Sequence, residues 1–465
     1  MTAPALWIIF PFLLGVLLLL FGNQRLLSIV GGSVVAGLAL VAQFIPIDQA
    51  LRVGAFSFRI DSSLSVLGRT LILLPTEGSL LALIYGAAAL WFFGAEASRT
   101  APKLVPMGLM ITSLMIASLA VEPFLYAALF IEMAILLSIP LLTSLTAPPG
   151  PGIVRFLIYQ TLAMPFILMT GWLLAGVEAS PGDLALAAQS ATMLGLGFAF
   201  LLAVFPLYNW VPMLVEETSP YIAGFMLWIL PTVTIVFGAG FLDRYSWLRS
   251  STQILSALRI AGLVMVLSGG VFAGFQRHFG RIMAYGSIVE TGFSMLALSL
   301  APRFGISLLF LLMPARALGM ALWSLALTVV QTQTGALRFN AGYGILRKTP
   351  LAGAGMVLAA LSTGMFPLLA GFPIRLALWD ALAQVSIRSA LVLGIGLLGL
   401  LVGAFRSLAV ISQAEEFESW ERNETWSQTL MLGVGILGLL VFGLFPQALQ
   451  YFVAGLPAMF EHFAR

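Results

Sequence analysis

The chain contains no cysteine, histidine only at His278 and His462, and lysine only at Lys103 and Lys348. The lack of cysteine excludes disulfides, thiolate metal sites and iron–sulfur clusters. Two isolated histidines offer no ligand set for haem or zinc, so neither a cofactor nor a metal is expected. Charge is scarce as well. Only 9% of the 465 residues are charged and 60% are apolar, whereas a soluble domain is about a quarter charged and about half apolar. That leaves too little polar surface to cover a water-soluble body. The net charge of +3 is small and scattered, which argues against a nucleic-acid partner. Lipid is the natural solvent for most of this chain, and the expected fold class is an all-α polytopic membrane protein.

A membrane helix needs ~20 apolar residues, and on that scale the chain divides into about 14 spans. They run from Leu6–Phe21 to Leu430–Phe452 and include Leu64–Phe93, Ala185–Leu207, Tyr221–Leu242, Ile282–Leu300, Phe304–Val330 and Leu351–Val385. Leu6–Phe21 reads as the first membrane helix, because no basic region precedes it and no small-residue cleavage site follows. An even count puts both termini on one side. A slight excess of basic residues in the loops holding Arg25, Lys103, Arg281 and Lys348 places that side outside the cytoplasm, in what would be a bacterial inner membrane. Residues 1–465 form a single membrane domain with no soluble insertion. The longest polar stretch, 412–428, carries Glu415, Glu416, Glu418, Glu421 and Glu424. It reads as a solvated acidic connector or as a docking surface for a neighbouring subunit.

An internal signature suggests two related halves. Pro206 and Pro212 lie six residues apart, as do Pro367 and Pro373, and the two pairs are 161 residues apart. Proline removes a backbone donor and clashes with the preceding turn, so each segment is expected to be a broken helix. Paired broken helices point to a transporter built from structural repeats. At nearly the same spacing, 158 residues, Glu132 recurs as Glu290. Repeats are expected over 104–242 and 254–411.

Nearly every charge falls in a loop or at a helix end, and the exceptions mark candidate sites because a charge in hydrocarbon costs several kcal/mol unless paired or hydrated. Glu132 and Glu290 lie mid-span, Arg316 lies near the middle of its span, Arg375 follows the second break by two residues, and Asp380 follows five later. A chain of such groups can pass protons along bridging water. Arginine stays charged and acts on its neighbours instead. The same residues also suit helix-packing ion pairs. Arg69 and Glu77 flank a kink expected at Pro75 and can form a simple pair. Glu216 and Glu217 suit a helix-end position.

At these residues the chain resembles the antiporter-like membrane subunits of complex I, a superfamily that includes membrane hydrogenase and multisubunit cation/proton antiporter proteins. The similarity is densest from Leu125 to Pro446. It rests on Phe130-Ile131-Glu132, Pro206-Leu207 through Trp210-Val211-Pro212, Gly280-Arg281-Ile282-Met283-Ala284-Tyr285-Gly286-Ser287-Ile288, Leu346-Arg347-Lys348-Thr349-Pro350, Gly364 to Phe372 and Gly443-Leu444-Phe445-Pro446-Gln447. The resemblance implies two inverted five-helix repeats, broken seventh and twelfth spans, and a polar axis carrying protons. Glu132 matches the family's fifth-span glutamate. The seventh-span lysine falls at Leu201, and the eighth-span lysine falls near Leu230 to Thr232, where no basic residue stands. The tenth-span histidine becomes Glu290. The eleventh-span histidine and lysine become Arg316 and Met320, and the twelfth-span charge becomes Arg375. The N-terminal half therefore reads as disabled or rewired, while the C-terminal half keeps its charges.

Three functions follow. The chain is an antiporter-like subunit of a redox-driven proton pump, carrying no redox centre of its own. Or it is a structural subunit with a degenerate proton path, which Leu201 and Met320 favour. Or it belongs to an ion-coupled cation/proton antiporter or inorganic-carbon uptake system. Each expects sister membrane subunits and lipid as partners, and no catalysis from the chain alone.

Overall fold

The computed structural model describes residues 2–53, 56–66, 68–99, 103–143, 148–180, 182–300, 302–413 and 422–463. In lipid every backbone N–H and C=O must be satisfied within the protein, so long apolar runs become helices. After a wide turn at Ala5–Ile9 come α1 (Phe10–Leu18), α2 (Gln24–Phe44), α3 (Gly78–Ser98), α4 (Leu104–Ala120), α5 (Ala127–Leu142), α6 (Pro151–Ala179) and α7 (Leu184–Leu201). They are followed by α8 (Trp210–Glu217), α9 (Pro220–Arg244), α10 (Ser246–Arg249), α11 (Thr252–Phe275), α12 (Phe279–Leu298) and α13 (Pro302–Thr334). The last six are α14 (Ile345–Lys348), α15 (Pro350–Thr363), α16 (Gly371–Val385), α17 (Ile387–Ser412), α18 (Trp426–Leu444) and α19 (Pro446–Val453). Ordinary caps start several of them. The side chain of Asn23 accepts from the backbone N–H groups of Arg25 and Leu26, and that of Asp183 from Ala185 and Leu186.

Among the described residues, ten helices are long and apolar enough to cross a membrane, and three shorter apolar ones accompany them. The protein is a multi-pass α-helical membrane protein. Helices α9 and α13 form its centre: the most apolar stretch of each is 83% buried, against 22% for α7 and α18 at the periphery. The hydroxyl of Thr328 in α13 accepts from the Tyr221 N–H at the start of α9. Helices α11 and α17 approach closest where Gly270 meets Gly396, and a Cβ on either would run into the opposite backbone.

One expected span is corrected. Leu64–Phe93 is not a continuous helix, since the helix proper starts only at Gly78. Before it, β3 (Ser63–Val66) pairs antiparallel with β4 (Arg69–Ile72), and β4 pairs with β5 (Val121–Glu122). A separate hairpin joins β1 (Ala50–Val53) to β2 (Phe56–Arg59). Gly68, at φ +75°, makes the turn between β3 and β4, and Leu71 and Leu73 turn inward. Arg69 and Glu77 are therefore not partners on one helix. Arg69 lies over the Tyr126 ring, and the Glu77 carboxylate accepts from the Leu74 N–H at 2.7 Å. Of the acidic stretch, Glu415, Glu416, Glu418 and Glu421 lie outside the described residues. Glu424 accepts from the Ala352 N–H at the start of α15.

Candidate functional site

Both non-helical interruptions have the same construction. Helix α7 ends at Leu201 and α8 begins at Trp210, with Pro206 between them. Helix α15 ends at Thr363 and α16 begins at Gly371, with Pro367 between them. Each interruption contains a non-glycine residue in the left-handed region: Ala203 in the first, Met365 and Leu368 in the second. Pro212 and Pro373 each occupy the third position of the following helix, where a missing N–H costs no helical hydrogen bond.

At the second interruption three charged side chains come together in the protein interior. Glu290 on α12 is 3% exposed, Arg316 on α13 is 3% exposed and Arg375 on α16 is 1% exposed. Arg375 Nη2 donates to Glu290 Oε1. Its Nη1 donates to the Ser362 carbonyl at 2.6 Å, in the last turn of α15, where carbonyls lack helical partners. The guanidinium also lies 5.2 Å from the centre of the Phe293 ring. Gly371 makes this possible, since a Cβ there would collide with the Arg375 guanidinium and the Ser362 carbonyl.

Arg316 is held by a proline elsewhere. Pro231 sits inside α9 and has no N–H to offer the carbonyl four residues earlier, that of Leu227. Arg316 Nη2 donates to this freed carbonyl at 3.0 Å and to Thr291 Oγ1 at 3.2 Å. Arg316 Nε and Nη1 and Arg375 Nε find no acceptor among the described residues. Arg375 thus pairs with the Glu290 carboxylate, Arg316 is held by a carbonyl and a hydroxyl, and both arginines keep donors to spare for water.

The other sequence candidates lie elsewhere. Glu132 on α5 is half-buried. It accepts from Thr161 Oγ1 at 2.9 Å, while its Oε2 has no partner among the described residues. Its neighbours Leu129, Met133 and Leu136 are about half exposed, so Glu132 stands on an outer apolar face. Asp380 is exposed and accepts from Gln384 Nε2 at 3.1 Å. Leu201 and Gln160 line a cavity of about 20 Å³ beside the first interruption, together with Trp210, Ser287 and Thr291. Gln160 Nε2 donates to the Leu201 and Phe200 carbonyls at 3.2 and 3.3 Å, closing the end of α7. Thr291 links this cavity to Arg316. Glu216 pairs with Arg281, and Glu217 accepts from the Gly152 and Ile153 N–H groups at the start of α6, so both serve helix ends.

Sequence reading missed the acceptors Leu227 and Ser362 and the linking hydroxyl of Thr291. Pro231 inside an apolar span was the available signal for Leu227. Nothing local marked the other two.

The family described as "NADH:quinone oxidoreductase/Mrp antiporter, TM" matches residues 182–403. A NADH-quinone oxidoreductase subunit N from Desulforudis audaxviator is 26% identical over 328 residues, covering 66% of this chain and 65% of that protein. The matched region spans between 43% and 65% of the length of such curated relatives. In fold, the chain is similar to one in respiratory complex I from Thermus thermophilus, with a TM-score of 0.80, 19% identity and coverage of 99% and 98% of the two chains. It is equally similar to a chain of the Mrp complex from Dietzia, with a TM-score of 0.82, 15% identity and 99% of each chain covered. Over residues 182–403 the chain is thus similar to the NADH:quinone oxidoreductase/Mrp antiporter family, and over nearly its whole length it shares the fold of the two solved chains.

Proposed function

We propose that this chain is an antiporter-like membrane subunit of a complex I-type, redox-driven proton pump, and that its proton path runs through the C-terminal half around Glu290, Arg316 and Arg375. The observation that carries this reading is the buried Glu290–Arg375 pair at the second helix interruption. Glu290 is the one member able to gain and lose a proton readily, since arginine stays charged. The two arginines offset the cost of burying the carboxylate. Their free N–H groups suit water, which would bring protons to Glu290 and carry them on past Thr291. Asp380 would lie towards the outer end of this route. Glu132 would serve a contact with a sister subunit rather than the path itself, given its place on an exposed apolar face.

The architecture proposed with this function has fourteen crossings, if α7 with α8 and α15 with α16 each count as one broken crossing. Residues 104–242 and 254–411 would be two inverted five-helix repeats within one membrane domain, with 412–428 as the acidic connector. The matching construction of the two interruptions supports the repeats. The membrane would be the bacterial inner membrane, with both termini outside the cytoplasm.

The test is Glu290→Gln in the assembled complex, which keeps shape and hydrogen bonding but cannot titrate. The expected outcome is a complex that still assembles, with a lowered melting temperature because Arg375 loses its counter-charge, and with fewer protons translocated per electron. Unchanged stoichiometry in a fully assembled variant would overturn the relay and favour the second reading, a structural subunit with a degenerate path. Leu201 in the first cavity and Met320 on α13 favour that reading. The fold likeness to the Mrp chain keeps a third in view, a subunit of an ion-coupled antiporter or inorganic-carbon uptake system. Identifying the partners that copurify with the native chain separates it from the first two.

A further inference from the structure

A crevice of about 310 Å³ opens between α7, α9, α11 and α12. Leu194, Phe198, Leu202, Val204, Leu258 and Met295 are among its walls, and Thr234 is its one polar lining residue. Water needs two to four polar partners to settle in a buried site, so this space is unsuited to it. The crevice opens beside the first helix interruption, at Leu202 and Val204. The Leu202 and Val204 N–H groups there already donate to the Phe198 and Ala199 carbonyls, so an apolar neighbour leaves neither donor unmet. The shape calls for a thin, flexible, apolar occupant.

One end of the crevice specifies the rest of that occupant. It is bounded by Leu248 and Ile254, at the junction of α10 and α11. Trp247 precedes Leu248, and its indole N–H has no acceptor among the described residues. Arg259 follows Leu258, and its Nε has none either. Its Nη2 makes only a long 3.5 Å contact with the Ser299 carbonyl, next to Leu298 of the crevice wall. Arg244 and Arg249 lie near this end but are engaged elsewhere: Arg244 lies over the Phe124 ring, and Arg249 Nη1 donates to the Asp243 carbonyl at 2.5 Å. The nearby carboxylate of Asp243 is taken by the His462 and Phe463 N–H groups at 2.9 and 2.8 Å. An aromatic N–H and an arginine with an unmet donor beside the end of an apolar slot match a phosphate with ester oxygens on an acyl chain.

We infer that this chain carries a resident phospholipid, with one acyl chain in the crevice beside the first helix interruption and its phosphate at Trp247 and Arg259. The inference stands apart from the proton path, since it uses none of Glu290, Arg316 or Arg375.

The test is native mass spectrometry of the purified full-length chain in detergent with added phosphatidylglycerol. One lipid is expected to survive washing that strips the rest. Ala257→Phe with Ala261→Phe fills the slot and should abolish retention, with the melting temperature checked alongside. Arg259→Gln should weaken retention about tenfold. In a second measurement, phosphatidylglycerol with brominated acyl chains should quench the fluorescence of Trp247, read as the difference between the wild type and Trp247→Phe. A wild type that keeps no lipid and shows no quenching overturns the inference. So does a folded, filled variant that keeps as much lipid as the wild type. Displacement of the lipid by inorganic phosphate alone also overturns it, because the site would then bind the anion without seating the chain.

Discussion

Arg375 shows how one residue organises the site. Its guanidinium touches the carboxylate of Glu290, a helix-terminal carbonyl at Ser362 and the face of Phe293, all in the protein interior. Removing one member of a buried ion pair costs about 3–5 kcal/mol, because the partner is left charged and alone. Arg375→Gln is therefore expected to lower the melting temperature of the assembled complex markedly. Gln in place of both Glu290 and Arg375 should recover much of the loss, since neither charge then remains unpaired. Thermal unfolding of the two variants side by side checks this. Equal losses in the single and double variants would show that the pair is not the source of the cost. Glu132 makes the contrast: with one bond to Thr161 on an outer face, it has no such network to disturb.

At the scale of elements, prolines do two different jobs. Pro206 and Pro367 lie in open segments between helices, while Pro231 stays inside α9 and frees one carbonyl, which Arg316 uses. Pro231→Ala would give that carbonyl a backbone partner again, a gain of about 1 kcal/mol for the helix. Arg316 would lose one of its two acceptors. The expected result is unchanged or higher thermal stability with reduced proton translocation per electron, read by melting and by pumping assays on the same preparation. Unchanged translocation would mean that the Leu227 carbonyl does not position Arg316. A change in both properties downward would mean that the bend itself holds the bundle together.

The whole molecule has a buried centre in α9 and α13 and outer helices whose apolar side chains remain exposed, among them Leu391, Leu398, Leu437 and Trp172. Lipid and sister subunits are the surroundings that such a surface suits. The chain reconstituted alone is accordingly expected to show no redox activity and no specific proton flux above that of empty vesicles. A dye-based assay of proton entry under an imposed potential measures this, and robust flux from the lone chain would contradict it.

Composition alone determined that this is a membrane protein, because the balance of apolar and charged residues is a property of the chain that no packing alters. Hydropathy likewise marked most of the helices, since each is stabilised chiefly by its own backbone hydrogen bonds. The start of α3 escaped it: Leu71 and Leu73 are as apolar as a membrane helix, but Gly68 and strand pairing with Val121 turn that stretch into a hairpin. The rare mid-span charges were also plain to read, though not their relations. Glu290 and Arg375 are 85 residues apart, and Arg316 reaches Leu227 across 89. Which charge meets which, and that Glu132 meets Thr161 instead, was decided only when the helices packed, because a side chain's partner depends on the rotation and depth of two helices and not on the local sequence of either.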